Sequence, residues 1–304
     1  MIKNFKIKKD YKVRLDKYLK VLFTSLTQSF IEKNIRKKNI LINNTRTKSN
    51  YIVSLNDNLT ILNFNDKLYK NKINYKKNYK VPNNLISKFN DCILFENSNF
   101  IVLDKWSNIS TQGGSKINIS IDHIIKNINT NFRLVHRLDK ETSGLLLIAK
   151  NLKYARILTL LFKEKKIGKL YIALCEGKPK IEQSQVDLDI QNKKQKFEKS
   201  LTTYKVIKYK NGISQILYVP KTGKTHQLRI VSKNLGCPII GDNKYNIRSK
   251  YTKENLMLHA FGLKFIIDSK IFSFASKLPD YVIKFNKKNK MIPINNLNKY
   301  LDIF

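Results

Sequence analysis

The chain has 304 residues, 42% of them apolar, which is enough to bury a real core in one large domain with a small one beside it. Its 59 Lys+Arg against 22 Asp+Glu give a formal charge of +37, favouring a polyanionic partner, nucleic acid first and an acidic membrane surface second. Three scattered cysteines (Cys92, Cys175, Cys237) without a CxxC pair argue against a disulfide framework or zinc site, and no run approaches the roughly 18 apolar residues of a membrane span.

Crowding with Lys, Asn and Ile marks a compositional bias that inflates Lys. It does not explain the scarcity of acids, so about half of the charge signal is credited to function. The segment Met1–Lys6 lacks the apolar stretch of a secretion signal. The expectation is a soluble, cytoplasmic protein in a reducing compartment, with no membrane partner.

Residues 1–64 read as a small module. Leu15, Tyr18, Leu19 and Leu22 share one helical face. Thr27 can cap a second helix carrying Phe30 and Ile31, whose exposed end holds Lys33, Arg36, Lys37 and Lys38. Ile40-Leu41-Ile42 reads as a strand turning at Asn43-Asn44, and Tyr51 to Leu62 as a strand pair broken at Asn56-Asp57-Asn58. Residues 65–90 read as a basic linker, with Lys67, Lys70, Lys72, Lys76, Lys77 and Lys80 among Asn and Tyr before Pro82.

From 91 to 304 the pattern is a mixed α+β domain with a largely antiparallel sheet and no internal repeat. Cys92–Phe95 and Phe100–Leu103 are strands around a polar turn, and Gln112-Gly113-Gly114-Ser115 is a loop. Asn151 can cap a helix with the apolar stripe Tyr154, Ile157, Leu158 and Leu161, ended by Gly168. Lys169–Glu176, Gly212–Val219 and Leu258–Ile266 are strands. Thr225-His226 opens a helix running to Asn234 that Gly236 and Pro238 terminate.

The segment Leu134-Val135-His136-Arg137-Leu138-Asp139-Lys140-Glu141-Thr142-Ser143-Gly144 sets one carboxylate, Asp139, between Arg137 and Lys140, immediately before the apolar strand Leu145–Ala149. Opposite charge nearby keeps such a carboxylate ionised, and a positioned carboxylate can be a nucleophile or a base. Asp also commonly fills turns and caps, so spacing alone leaves both readings open. His136, His226 and His259 fit no local metal-ligand motif.

This segment resembles the signature of the pseudouridine synthases that act on large-ribosomal and transfer RNA. Three further segments of that family occur in order: Phe95 to Lys105, Lys169 to Gly177, and Thr222 to Ile230. The resemblance covers residues 91–290. The pattern Arg14-Leu15-Asp16-Lys17-Tyr18-Leu19 with Ile40–Asn43 and Asn56-Asp57 is similar to an S4 RNA-binding domain. The module and the loop Thr111–Ser115, with Gln112 where a His is usual, look most like the branch that modifies 23S ribosomal RNA.

The resemblance implies that Asp139 is the nucleophile in detaching uracil from its ribose. Attack at C1′, attack on the ring and removal of a C2′ proton stay open. It implies that Arg229 forms an ion pair with Asp139, that Tyr171 stacks on or deprotonates the base, and that Arg137 fills the space a flipped uridine leaves. Simple phosphate contact is an equal reading for Arg137. Arg14, Lys17, Arg36, Lys37, Lys38, Lys224 and His226 complete the expected RNA-binding set. No cofactor is implied.

Lys105-Trp106 departs from the family's usual Lys-Pro, and Gln227-Leu228-Arg229 from Gln-Ile-Arg. The expected partner is 23S rRNA or a ribosome-assembly precursor, bound by a monomer. The alternatives are the same chemistry on tRNA or another rRNA site, and a non-catalytic RNA-binding assembly factor.

Overall fold

The computed structural model describes residues 1–70, 81–114, 117–192 and 195–291, in two compact units, Met1–Asn78 and Tyr79–Phe304. In the first unit, β1 (Lys3–Lys6) precedes helices α1 (Leu15–Leu22) and α2 (Gln28–Arg36); strands β2 (Ile40–Ile42), β3 (Thr45–Arg46) and β4 (Asn58–Ile61) follow. The strands form an antiparallel sheet in the order β1-β4-β2-β3. Asn43 and Asn44 both take the left-handed conformation (φ 49° and 60°), which suits the twist of a two-residue hairpin. Leu15, Leu19 and Ile31 from the helices bury fully against Ile40, Leu59 and Ile61. Thr27 caps α2 by accepting from Phe30 N at 3.2 Å.

The strand pair expected over Tyr51–Leu62 is only half present. Residues 51–53 pair instead with the chain before α1, through Leu15 N to Tyr51 O and Val53 N to Val13 O. Asp57 causes this. Its carboxylate accepts from Ser54 N, Tyr51 OH and Asn43 Nδ2, which folds the segment into a turn. β1 has no counterpart in the expected elements.

The expected linker over 65–90 is also shorter in the structure. Tyr69 packs in the first unit's core, stacked on Phe64 at 4.9 Å. Residues 83–91 form a helix of the second unit whose Phe89 is buried. Lys72, Lys76, Lys77 and Lys80 lie outside the described residues.

The second unit runs α3 (Asn83–Asp91), β5 (Ile93–Glu96), β6 (Phe100–Lys105), α4 (Ile121–Ile128), β7 (Arg133–Leu134), β8 (Ser143–Ala149) and α5 (Leu152–Lys163). It continues with β9 (Gly168–Glu176), β10 (Gln183–Gln191), β11 (Phe197–Lys210), β12 (Ile213–Pro220), α6 (Gln227–Asn234), β13 (Leu258–Ile267), β14 (Lys270–Ala275) and α7 (Asp280–Lys288). One sheet in the order β10-β11-β12-β9-β13-β8-β6-β5 organises it, with β14 on β13 and β7 on β8. Among the described strands its pairings are antiparallel except β13 with β8.

Every residue of β8 is buried, as a continuous apolar strand at the centre of a covered sheet requires. Gly144 sits where β8 meets β13. Its φ is 110°, and a Cβ there would lie 2.2 Å from Ala260 O, so only glycine fits. Asn151 caps α5 by accepting from Tyr154 N at 2.9 Å. The helix ends at Lys163 rather than at Gly168. Lys165 takes the left-handed turn (φ 59°) and Lys166 N reaches back to Leu161 O, while Gly168 opens β9. No helix of the described residues is long and apolar enough to cross a membrane.

Candidate active site

The segment carrying Asp139 is the connection from β7 to β8, and its backbone is tied down from β6 and the chain after it. The buried Thr111 side chain donates to Leu138 O (2.7 Å) and accepts from Leu138 N (3.1 Å). Lys105, fully buried at the end of β6, donates its ammonium to Trp106 O, Ile109 O and Lys140 O at 3.0, 3.0 and 3.3 Å. Burial brings Lys105 down to about 7, against the opposing pull of Asp139 and Glu141. Ser107 Oγ donates to Glu141 O at 2.6 Å. These bonds hold both flanks of Asp139, and Trp106 in place of the usual proline leaves them intact.

The facing wall comes from β9, the turn after β12 and α6. Gln227 is buried and locks that turn. Its Oε1 accepts from Thr222 Oγ1 and Lys224 N (2.8 and 2.9 Å), and its Nε2 donates to Thr202 Oγ1 (2.9 Å). Two residues on, Arg229 is buried and donates Nε and Nη2 to the two oxygens of Asp242 at 2.8 and 2.7 Å. Its Nη1 lies 3.5 Å from Glu141. Burial pushes the Asp242 carboxyl up, but hydrogen bonds from Arg229 and from the amides of Tyr245 and Lys244 outweigh it, leaving it below the usual carboxylate range. Gly241 makes this turn possible: at φ 75° its Cβ would meet Asn255 O at 2.1 Å.

Between the walls lies a cleft of about 560 Å³. Asp139, Tyr171 and Arg229 line it together, with Arg137, Lys163, Lys169, Lys221 and Lys224 among its basic groups. Burial, and then the charge of Asp139, raises the Tyr171 phenol, which keeps the hydroxyl protonated. A neutral aromatic ring beside a carboxylate suits stacking on a base better than abstracting a proton from it. Burial and the neighbouring Lys221 bring Lys169 down to about 8. A cleft with one carboxylate, an aromatic and a cationic rim is fitted to chemistry on a polyanion that carries flat rings.

Residues 99–234 match the RNA pseudouridylate synthase family. The chain is 37% identical over 300 residues to "Ribosomal large subunit pseudouridine synthase C" of Rickettsia bellii, covering 88% of this chain and 95% of that one. The chain belongs to the RNA pseudouridine synthases. The protein of the same name from Buchnera aphidicola subsp. Baizongia pistaciae is 33% identical, covering 91% and 94% of the two chains. In fold, the synthase is similar to "Human RNA Pseudouridylate Synthase Domain Containing 4", with a TM-score of 0.61 at 23% identity over 71% of this chain and 98% of that one.

The synthase brings together Arg137, Asp139, Tyr171, Lys224, His226 and Arg229 from three separate segments. One expectation changes. Arg229 makes its forked ion pair with Asp242, not Asp139, because the fully buried Asp242 supplies both oxygens to its Nε and Nη2. Among the described residues, the basic group within 4 Å of Asp139 is His226, whose Nε2 lies 3.9 Å from Oδ1. Arg14, Lys17, Arg36, Lys37 and Lys38 are exposed on the first unit, where Arg14 is forked onto the buried Asp16 at 3.1 and 3.0 Å.

The other two histidines weighed as metal ligands, His136 and His259, have structural duties. His136 Nε2 accepts from Leu147 N (2.8 Å) and its ring stacks on Phe162, whereas His259 bridges Ser143 Oγ and Ser276 Oγ (2.9 and 2.6 Å). Lys105, Thr111, Gln227, Asp242 and Tyr245 were not among the expected site residues. Gly241-Asp242, a glycine next to an acid, is a turn signal in the sequence from which Asp242 could have been found.

Proposed function

We propose that the synthase isomerises uridines of large-subunit (23S) ribosomal RNA, with Asp139 as the nucleophile. The observation that carries the catalytic reading is the placing of Asp139, Tyr171 and Arg229, from three distant segments, on one basic cleft. The ribosomal target is supported by the Rickettsia and Buchnera relatives, which are named for the large ribosomal subunit and match nearly the whole chain.

Isomerisation breaks the N1–C1′ bond, turns the uracil and joins C5 to C1′. The C5 proton is then released and N1 takes one up. Asp139 serves the first step by attack at C1′ or on the ring, or by removing a C2′ proton. The uridine leaves its stack to reach the carboxylate, and Tyr171 receives the base. Arg137, two residues from Asp139 in the same loop, fills the vacated position or contacts a phosphate. Arg229, held rigid by Asp242, shapes the pocket and its positive potential. Lys163, Lys169, Lys221 and Lys224 meet phosphates.

The first unit, by its exposed Arg14, Lys17, Arg36, Lys37 and Lys38, supplies S4-like affinity for RNA. The synthase works as a cytoplasmic monomer on free rRNA or an assembly precursor.

Asp139→Asn tests the reading. It keeps the shape and removes the charge, so conversion should fall by at least about 10⁴-fold while RNA affinity stays within about threefold. Pseudouridines mapped by carbodiimide-dependent primer-extension stops, with and without the gene, identify the targets. Unchanged 23S rRNA beside a lost tRNA site would move the substrate to tRNA and leave the chemistry standing.

A further inference from the structure

His226, whose Nε2 comes within 3.9 Å of Asp139, is held in a way that simple RNA contact does not require. His226 heads α6 in the left-handed conformation, φ 55° and ψ 24°, which few non-glycine residues adopt. Its Nδ1 is 3.0 Å from the Tyr245 hydroxyl, and the two rings meet edge to face at 5.6 Å. Tyr245 is itself fixed: its amide donates to Asp242 at 3.0 Å, and the Arg229 guanidinium lies 5.3 Å from its ring centre. Asp242 therefore organises two arms that reach the cleft, Arg229 directly and His226 through Tyr245.

The tautomer follows from charge. If Nδ1 carried the proton, the Nε2 lone pair would face the Asp139 carboxylate, lone pair against anion. With Tyr245 donating to Nδ1, the ring proton sits on Nε2 and points at Asp139 Oδ1, 3.9 Å away. That separation is longer than a hydrogen bond and closes with a shift of about 1 Å, the kind of tightening that substrate binding brings. The other charged groups around the imidazole are Glu141 from the Asp139 loop, Arg229 from α6 and Lys244 from the turn beside Tyr245. Burial, reinforced by Arg229 and Lys244 and opposed by Asp139 and Glu141, lowers the ring's pKa and keeps this neutral tautomer available.

We propose that His226 is a positioning residue for Asp139: Tyr245 fixes its tautomer, and its Nε2–H holds the carboxylate in the attacking orientation once a uridine fills the cleft. The proposal rests on the reading of Asp139 as nucleophile.

Three variants of the full chain test it, on total RNA labelled with [5-³H]uridine from cells lacking the gene. Tritium release is followed under single turnover, giving a maximal rate and a half-saturating enzyme concentration. His226→Asn tolerates the left-handed backbone and its short amide reaches Tyr245 but not Asp139. His226→Gln returns an N–H near the position of Nε2. Tyr245→Phe removes the hydroxyl without touching Asp139.

His226→Asn should lower the maximal rate by about tenfold or more while half-saturation changes by less than about threefold. His226→Gln should recover part of that loss. Tyr245→Phe should slow the wild type severalfold yet add less than about twofold to His226→Asn, because both act through one contact. If His226→Asn fails to fold, Tyr245→Phe alone decides. A maximal rate within about twofold of wild type, or a loss confined to half-saturation, with Asp139→Asn inactive, overturns the proposal and leaves the nucleophile standing. An active Asp139→Asn variant overturns both.

Discussion

Arg229 and Asp242 form a buried two-pronged pair, 2.8 and 2.7 Å, whose carboxylate also accepts the amides of Lys244 and Tyr245 at 3.0 Å. Four donors on one carboxylate make Asp242 the fixed point of the wall opposite Asp139. Breaking such a pair leaves a buried guanidinium without its counter-charge. Asp242→Asn should therefore lower the free energy of unfolding by about 3 kcal/mol. It should also slow turnover, since Arg229 and Tyr245 both lose their anchor. Urea denaturation beside a single-turnover assay measures both. A loss below about 1 kcal/mol would show that Glu141, 3.5 Å from Arg229, takes over the pairing.

The parts of this site that a reader of the sequence can find are those whose chemistry is contiguous. Asp139 stands between basic neighbours and before a wholly apolar strand. Asn151 announces α5, and Gly236 closes α6 with φ 72°. The Arg229–Asp242 pair is not legible, because the partners lie 13 positions apart in chain of unrelated composition and only tertiary folding joins them. Helix α3 hides for another reason: Phe89 is its one buried residue, so its stripe is too thin to register against the surrounding lysines. Strand β10 is one edge of the sheet and β11 pairs beside it; both carry charged residues (Asp187, Asp189, Lys199, Lys205) on their exposed faces, which leaves at most every second position around them apolar. The shortened linker has the same origin, since Tyr69 finds its aromatic partners only in the folded unit.

The two structural histidines give the stability curve a definite sign. Burial brings His136 and His259 down to about 3, whereas an unfolded histidine titrates near about 6.5. Between those values the unfolded chain binds protons that the folded chain refuses. The histidines' contribution to stability is therefore full above about pH 6.5 and falls as pH drops, by up to about 1.4 kcal/mol per pH unit for each histidine. His259→Gln, which can keep a hydrogen bond in the Ser143–Ser276 bridge, should remove about half of that slope between about pH 6 and 4.5, before ordinary carboxylates begin to titrate. Urea midpoints at several pH values give the slopes. Parallel curves for variant and wild type would mean that His259 titrates normally in the fold.

The Arg36-Lys37-Lys38 run at the end of α2 offers a separate test of the first unit, because all three are exposed and none belongs to that unit's buried core. Phosphate neutralisation releases counterions, so each contact contributes about 0.7 to 0.9 to the slope of log affinity against log salt, the lower value for single strands. Replacing all three with Gln should weaken binding of 23S rRNA fragments and make that slope shallower by about 2 to 3. The thermal midpoint should hold. The maximal single-turnover rate at saturating enzyme should also hold, since Asp139 and its wall belong to the other unit. Filter binding across a salt series, paired with tritium release, separates affinity from chemistry. An unchanged slope would assign RNA affinity to the basic cleft alone.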